Sequence, residues 1–496
     1  MDLASSLAYC LQPWPLLLLV GGTGAGIVVG AIPGLTGSML IALSLPFTYY
    51  MAPVDAMILL VAMYTGSITG GLISAILLRM PGTPSNVMTT FDGHPMAKQG
   101  QAGRALALGV GASAFGSLFA WVALATITEP LSIWATRFGP FEYFTLVVMA
   151  LVLIASVSQG SLLKGLLAGA VGALFAFPGT DNNTGTARFT FDWWQLGSGF
   201  DVLPVLVGAF AVGTLLADCV SIREKGEVIA HNDRPQVMAW ADWMAQKWNL
   251  LRSAAIGTWI GILPGIGANV GSVVAYTVTK NLSSDPARFG NGAPEGIVAS
   301  EAANNATIGG ALIPLIAMGI PGSVIDVFLM SAMLIHGVQP GPLLFTQRPD
   351  LVYAIIASCL LATVAMFCLM TLLTGTLRRL MQVPKHYVLP VVMAFCVVGV
   401  FASNSRMFEV WAMLFFGVLG FAMERAKMPL GPFVIGFILA PLAEAKLRSG
   451  LMMTAGDWTP IFTRPLPAIF LAISAALLVW PFWSQWQRER KAKARP

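Results

Sequence analysis

The chain has 496 residues, of which 56% are hydrophobic and 10% charged, and a formal net charge of +5. Soluble domains carry roughly 25% charged residues, so this composition excludes an ordinary soluble enzyme or a nucleic-acid-binding module and predicts an all-α polytopic membrane protein. The five cysteines, Cys10, Cys219, Cys359, Cys368 and Cys396, are scattered through apolar stretches without a C-x-x-C spacing, which implies neither a disulfide framework nor a thiolate metal site.

In chain order, the apolar run Trp14–Val20 has no basic segment before it and no small-residue cleavage site, so no cleaved signal peptide is expected. Residues 14–50 carry G-x-x-x-G-x-x-P-G at Gly26–Gly34 between two apolar arms. Proline lacks the N–H that a helix needs and glycine loosens the backbone, so this phrase predicts a re-entrant helical hairpin. A broken helix follows at about 54–90, interrupted at Met80-Pro81-Gly82-Thr83-Pro84-Ser85-Asn86. The stretch Asp92–Arg104 reads as a basic loop. Four further spans fit at about 105–128, 141–157, 161–177 and 200–220, and the Lys/Arg-poor loop 178–199 should face outward.

Residues 221–252 form a central loop whose Arg223, Lys225, Arg234, Lys247 and Arg252 place it in the cytoplasm, with Trp240, Trp243 and Trp248 suggesting an amphipathic surface helix. A second hairpin is expected at about 253–280 and a second broken helix at about 300–335. Spans then fit at about 351–376, 388–403, 407–423, 429–445 and 466–484, before the basic tail WQRERKAKARP.

The second hairpin repeats the first. Pro33-Gly34 and Pro264-Gly265 lie 231 residues apart, the Gly-Gly steps at Gly70 and Gly309 are 239 apart, and the Pro-Gly steps at Pro81 and Pro321 are 240 apart. Counting basic loops, the first pair of interrupted segments starts outside and the second starts inside. Two inverted-topology repeats are therefore predicted, 1–220 and 253–450, separated by the loop 221–252 and followed by a last span and cytoplasmic tail over 451–496. Lys446, Arg448 and Arg464 fall on the outer side in this scheme, against the positive-inside rule. Interrupted segments at corresponding places in two halves are the sequence mark of a transporter's binding site.

Candidate site residues follow from that reading. A helix that restarts in the membrane presents unpaired N–H groups and a positive dipole end, suited to an anion. The substrate-binding candidates are Thr36, Gly37 and Ser38 at the first hairpin tip, Asn269, Gly271 and Ser272 at the second, and Gly82, Thr83, Ser85, Asn86, Gly322 and Ser323 at the two breaks. Freed carbonyls and amide oxygens suit a cation, so the coupling-ion candidates are Pro33, Gly34, Pro264, Gly265, Asn304, Asn305 and Asp326. Each has a plainer alternative: G-x-x-x-G can simply pack helices closely, the Pro-Gly steps can be kinks, and Asp326 can cap or pair structurally. Arg79 can meet a substrate carboxylate or reach to the interface. Glu295 and Glu301 with Asn304 and Asn305 give a helix-start pattern within Gly292–Ala306.

Taken together, the phrase at Gly26–Leu35, MPGTPSN at Met80–Asn86, DGHPMAKQG at Asp92–Gly100, GILPGIGANVGS at Gly261–Ser272 and PEGIVASEAANNA at Pro294–Ala306 resemble the large membrane subunit of tripartite tricarboxylate transporters. The resemblance implies a permease of the bacterial inner membrane that imports organic carboxylates on a Na⁺ or H⁺ gradient. It also implies two partners, a small four-helix membrane subunit and a periplasmic solute-binding protein, and an elevator architecture like that of the wider ion-transporter group. The copies differ at Leu35 against Ile266 and at Thr83-Pro84 against Ser323-Val324, so the half-sites should not be equivalent.

Enzymatic function is not expected, and no cofactor beyond the coupling ion is implied. The four histidines form no H-E-x-x-H, and no G-x-S-x-G or phosphate-cradling GxxxxGK[ST] occurs. The competing reading is a passive anion channel or pore, because broken helices also build filters.

Overall fold

The computed structural model describes residues 2–32, 35–157, 161–181, 184–220, 237–380 and 385–493. Pro33, Gly34, Arg223, Lys225 and Arg234 lie outside them. The helices, in chain order, are α1 (Leu3–Cys10), α2 (Pro13–Ala31), α3 (Gly37–Thr48), α4 (Pro53–Leu78), α5 (Val87–Met96), α6 (Ala102–Ala135), α7 (Pro140–Val157), α8 (Leu162–Ala176), α9 (Val202–Leu206), α10 (Gly213–Val220) and α11 (Trp240–Ile262). They continue with α12 (Gly267–Leu282), α13 (Pro294–Met318), α14 (Val324–Ile335), α15 (Leu344–Gln347), α16 (Pro349–Leu380), α17 (Lys385–Asn404), α18 (Met407–Arg425), α19 (Leu430–Met453), α20 (Pro460–Thr463) and α21 (Pro465–Lys493). Gly179–Thr180 pairs antiparallel with Ala187–Arg188 in a two-residue ladder. Among the described residues, six helical stretches are long and apolar enough to cross a membrane. The chain is a helical polytopic membrane protein.

Both interrupted pairs form helix, break, helix. In the second hairpin the turn between α11 and α12 is made by Gly265 at φ 72° and Gly267 at φ 68°, a left-handed geometry that costs glycine little. Helix α4 ends on Arg79 at φ 56° and α13 on Gly319 at φ 71°. After the breaks, Pro84–Asn86 makes a 3₁₀ turn ahead of α5, whereas α14 starts directly, with the Ser323 hydroxyl accepting from the Asp326 N–H at 3.3 Å. Pro84, absent from the second copy, accounts for that difference: proline fits the first turn of a helix, where no intrahelical N–H is required.

The arms cross at almost no separation. A Cβ added to Gly26 would stand 2.5 Å from the Met63 carbonyl oxygen, and one on Gly66 would stand 2.2 Å from that of Thr23, so α2 and α4 touch backbone to backbone. In the second pair, a Cβ on Gly257 would lie 2.2 Å from Ala303 O and one on Gly310 2.4 Å from Thr258 O, giving α11 and α13 the same crossing. Small residues permit this approach, and in a membrane, where apolar burial between helices gains little over lipid, the close dispersion contact is what holds them.

Two stretches differ from expectation. Asp92–Arg104 is not an open loop: α5 runs to Met96, and a wide turn over Ala97–Gln101, with Gly100 at φ 81°, leads straight into α6. Asp92 is 0% exposed. Its Oδ1 accepts from the backbone N–H of Gly290, Gly292 and Ala293 at 2.8, 3.0 and 2.9 Å, and its Oδ2 from the Tyr276 hydroxyl at 2.8 Å. A carboxylate so thoroughly paired draws the segment inward and ties α5 to the entry of α13. Residues 240–252 likewise belong to the first arm of the second hairpin, because α11 starts at Trp240 and runs unbroken to Ile262.

The helices sort into two compact units, 1–133 with 203–418, and 134–202 with 419–496. Both interrupted pairs lie in the first. In the second, α19 packs on α7 and α8, and α21 on α7. The three cations that fall outside in the predicted topology are all engaged here. Arg448 pairs with Asp181 at 2.8 Å and Glu444 at 2.6 Å, Arg464 with Glu142 at 3.3 Å, and Lys446 Nζ lies 5.1 Å from the Tyr143 ring centroid.

Two outcomes follow. Gly26→Leu and Gly257→Leu should each abolish recovery of monodisperse protein from detergent, read by size-exclusion chromatography, whereas Gly21→Ala, with open space around it, should be tolerated; normal elution of the leucine variants would refute the crossings. Asp92→Asn should lower thermal stability by on the order of 2 kcal/mol, since hydrogen bonds to a charged acceptor are worth about 1.5–3 kcal/mol each and the amide keeps part of them. An unchanged melting temperature would mean the latch carries no load.

Candidate functional site

The candidates at the two breaks and the second hairpin tip lie in one region of the first unit. Gly82 sits on the first hairpin: a Cβ there would be 2.0 Å from Gly30 O and 2.6 Å from Gly71 Cα. Gly322 sits correspondingly, with Gly261 O at 2.8 Å from the Cβ position. The first hairpin tip reaches the second break, as the Cβ position of Gly37 is 3.5 Å from Ile325 Cδ1. The second tip reaches the same break, with the Cβ position of Gly267 3.6 Å from Ser323 Cβ. The 3₁₀ turn at Pro84–Asn86 packs on α12.

Polar side chains within this region form a network centred on Glu301, which is 0% exposed. The carboxylate Oε1 accepts from Asn86 Nδ2 at 3.0 Å and from the Thr89 hydroxyl, and Oε2 accepts from the Ser113 hydroxyl at 3.3 Å. Asn305 Nδ2 donates to Ser113 Oγ at 2.9 Å and to Glu301 O at 3.1 Å, while its Oδ1 accepts from the Thr69 hydroxyl at 2.6 Å. Asn86 Oδ1 accepts from Thr83, whose hydroxyl also meets that of Ser85 at 2.8 Å. One hydrogen-bonded cluster thus spans α4, α5, α6, α13 and the first break.

Other candidates are less satisfied. Asn304 is buried with its amide beside the Glu301 carboxylate, and its amide oxygen has no partner. Both carboxylate oxygens of Asp326 and the Ser272 hydroxyl are buried without a partner. Near Asp326, the Tyr64 hydroxyl lies 3.2 Å from Ser323 Oγ. Buried polar groups are normally paired, and those that are not commonly mark an ion, a water or a ligand. Thr36 caps α3 by accepting from the Met39 N–H at 3.2 Å. Gly271 is pressed against α13, with Thr307 Cγ2 2.8 Å from its Cβ position. Ser38 and Asn269 are half-buried at the starts of α3 and α12, joined to no other candidate by a hydrogen bond among the described residues. Pro264 is buried, and Gly265 supplies the left-handed turn described above.

Sequence reasoning did not place Glu301, Thr89, Ser113, Thr69 or Tyr64 in the site. For Glu301 a signal existed: a carboxylate seven residues into a helix that carries no further charge over the rest of its length has no solvent to face. For the hydroxyl residues there was none, since threonine and serine in a membrane helix bond readily to their own backbone.

A family model described as the tripartite tricarboxylate transporter TctA family matches residues 16–435. An Agrobacterium vitis protein described as an uncharacterized 52.8 kDa protein in the TAR-I ttuC' 3' region is 34% identical over 483 residues, covering 97% of this chain and 96% of that protein. A second A. vitis protein, from the TAR-II ttuC' 3' region, is 34% identical over 223 residues, which is 45% of this chain and 92% of its own length. No solved structure matches the chain. With most of its length matched, including both hairpins and both breaks, the chain belongs to the tripartite tricarboxylate transporter TctA family, a family of membrane transport proteins.

Proposed function

We propose that the chain is the permease subunit of a binding-protein-dependent secondary transporter that imports organic carboxylates by cation-coupled alternating access across the bacterial inner membrane. The observation that carries this reading is the meeting of two interrupted helices and a hairpin tip around buried, partly unsatisfied polar groups in the first unit. Restarting helix ends and neutral donors suit a carboxylate, and the buried oxygens of Asp326 and, separately, of Asn304 suit a cation, whereas the Asn305 amide is already taken up by Thr69, Ser113 and Glu301. The two interrupted pairs are read as inverted repeats, supported by equal offsets in sequence and by like crossings, Gly26 on Met63 and Gly257 on Ala303. Movement of this unit as an elevator would expose the site alternately to each side. A small four-helix membrane subunit and a periplasmic binding protein complete the assembly, the latter delivering substrate and holding much of the selectivity.

The deciding experiment reconstitutes the chain with its small partner in liposomes, adds binding protein outside, imposes a Na⁺ or H⁺ gradient and follows uptake of radiolabelled citrate and a panel of di- and aromatic carboxylates. Accumulation that needs both gradient and binding protein is expected. Equilibration without either would establish a passive anion pore instead. In the same assay Ser38→Ala and Asn269→Ala should slow uptake severalfold while inserting normally, and full activity in both would move the substrate away from the tips. For the inverted topology, Ala230→Cys in a background without native cysteines should react with an impermeant maleimide only from the cytoplasmic side.

A further inference from the structure

We infer that Glu301 and Asn304 together seat a sodium ion, and that this ion is what admits an anionic substrate to Asn86. The inference rests on the cation-coupled uptake proposed above and names the carboxylate that supplies the charge. Both residues are 0% exposed and lie one turn apart on α13. The Glu301 carboxylate is held from three sides by Asn86, Thr89 and Ser113. All three donors are neutral, and among the described residues no Lys, Arg or His pairs with it.

Hydrogen bonds from neutral groups orient a carboxylate without cancelling its charge, and an uncancelled charge inside a membrane protein is costly. Among the described residues no side chain supplies the balancing charge, which leaves it to a bound cation or a proton. Asn304, beside the carboxylate, has an amide oxygen with no partner. A carboxylate and a free amide oxygen are hard oxygen ligands, as an alkali cation requires. The single negative charge matches a monovalent ion, and no group of three His, Cys, Asp or Glu fit for a more highly charged metal occurs among the described residues.

The link to substrate is Asn86. Its amide nitrogen donates to Glu301 and its oxygen accepts from Thr83, so a substrate carboxylate drawn to this break meets a like charge that already holds the donor it needs. Sodium on Glu301 removes the repulsion and weakens the hold on the Asn86 amide. Binding of cation and anion is then mutually favourable, each raising the affinity for the other by the same factor.

The test uses purified protein and the reconstituted transporter. Wild-type melting temperature should rise with NaCl relative to KCl at equal ionic strength. Glu301→Gln should abolish that sodium-specific rise, and Asn304→Ala should raise the sodium concentration at its midpoint at least about tenfold, as loss of an ion-site partner typically does, with the sodium midpoint of citrate uptake shifting in parallel. No sodium-specific shift in wild type, or an unchanged midpoint in Asn304→Ala, overturns the seat. If Glu301→Gln cannot be recovered folded, the Asn304→Ala midpoint decides alone. Citrate accumulation on a proton gradient that ignores sodium would sink the seat and leave coupled uptake standing; absence of accumulation on any gradient would sink coupled uptake, while the thermal midpoint would still judge the seat.

Discussion

A helix interrupted inside a membrane exposes carbonyls and N–H groups that lipid cannot satisfy, and the way those groups are sheltered governs everything else in the first unit. The shelter is glycine. Because Gly82 and Gly322 carry no side chain, the breaks close onto the hairpin backbone, Gly82 over the Gly30 carbonyl and Gly322 over that of Gly261. The Gly82 N–H finds the Gly71 carbonyl at 3.4 Å. A methyl group at any of these contacts would lift a break off its floor and admit lipid to bare backbone. The polar side chains occupy their places because this backbone-to-backbone stacking fixes where the helices stop and restart.

Three buried carboxylates in the first unit illustrate how the same group takes different parts according to its partners. Asp92 accepts from three backbone N–H groups and a tyrosine, its lone pairs are consumed, and it acts as a rivet. Glu301 accepts only from side chains of other helices, so any change in its charge is felt at Asn86, Thr89 and Ser113. Asp326 sits beside Ser323 at the start of α14, and no side chain of another helix donates to it among the described residues. The progression from backbone-paired to unpaired separates a structural acid from groups available for exchange.

Much of this was legible beforehand. The Pro-Gly steps at Pro81, Pro264 and Pro321 pointed to the interruptions that follow α4, α11 and α13, because proline and glycine act on the local backbone whatever surrounds them. Asp92–Arg104 was not legible: its polarity resembles a loop's until Asp92 is seen capping N–H groups about 200 residues away, a partner no local pattern contains. The start of α11 was hidden likewise, since an amphipathic surface helix and the arm of a hairpin merge without a breaking residue between Trp240 and Ile262. The cations Arg448 and Arg464, which the predicted topology sets outside, are paired, and a rule that counts charges does not see pairs. Within the site, Glu301 was visible as a carboxylate in an apolar run, but its donors lie on α5 and α6, beyond the reach of spacing arguments.

The matching offsets also make the differences between the halves interpretable. Asn86 and Asp326 are 240 residues apart and stand at the same place, three residues past the hydroxyl of Thr83 or Ser323. The first break therefore ends in a neutral amide and the second in an acid. Across from Asn86 stands Glu301, and 239 residues before Glu301 stands Ala62, fully buried and without a polar atom to offer. Both carboxylates thus come from the second half: Glu301 lies on the helix that faces the first break, where Asn86 supplies the amide, and Asp326 lies on the second break itself. A symmetric pair would bind two identical ligands equally well on both sides. Here the shared scaffold carries an amide opposite an acid at the first break and an acid at the second, with Ala62 at the position equivalent to Glu301, so the two breaks are chemically distinct.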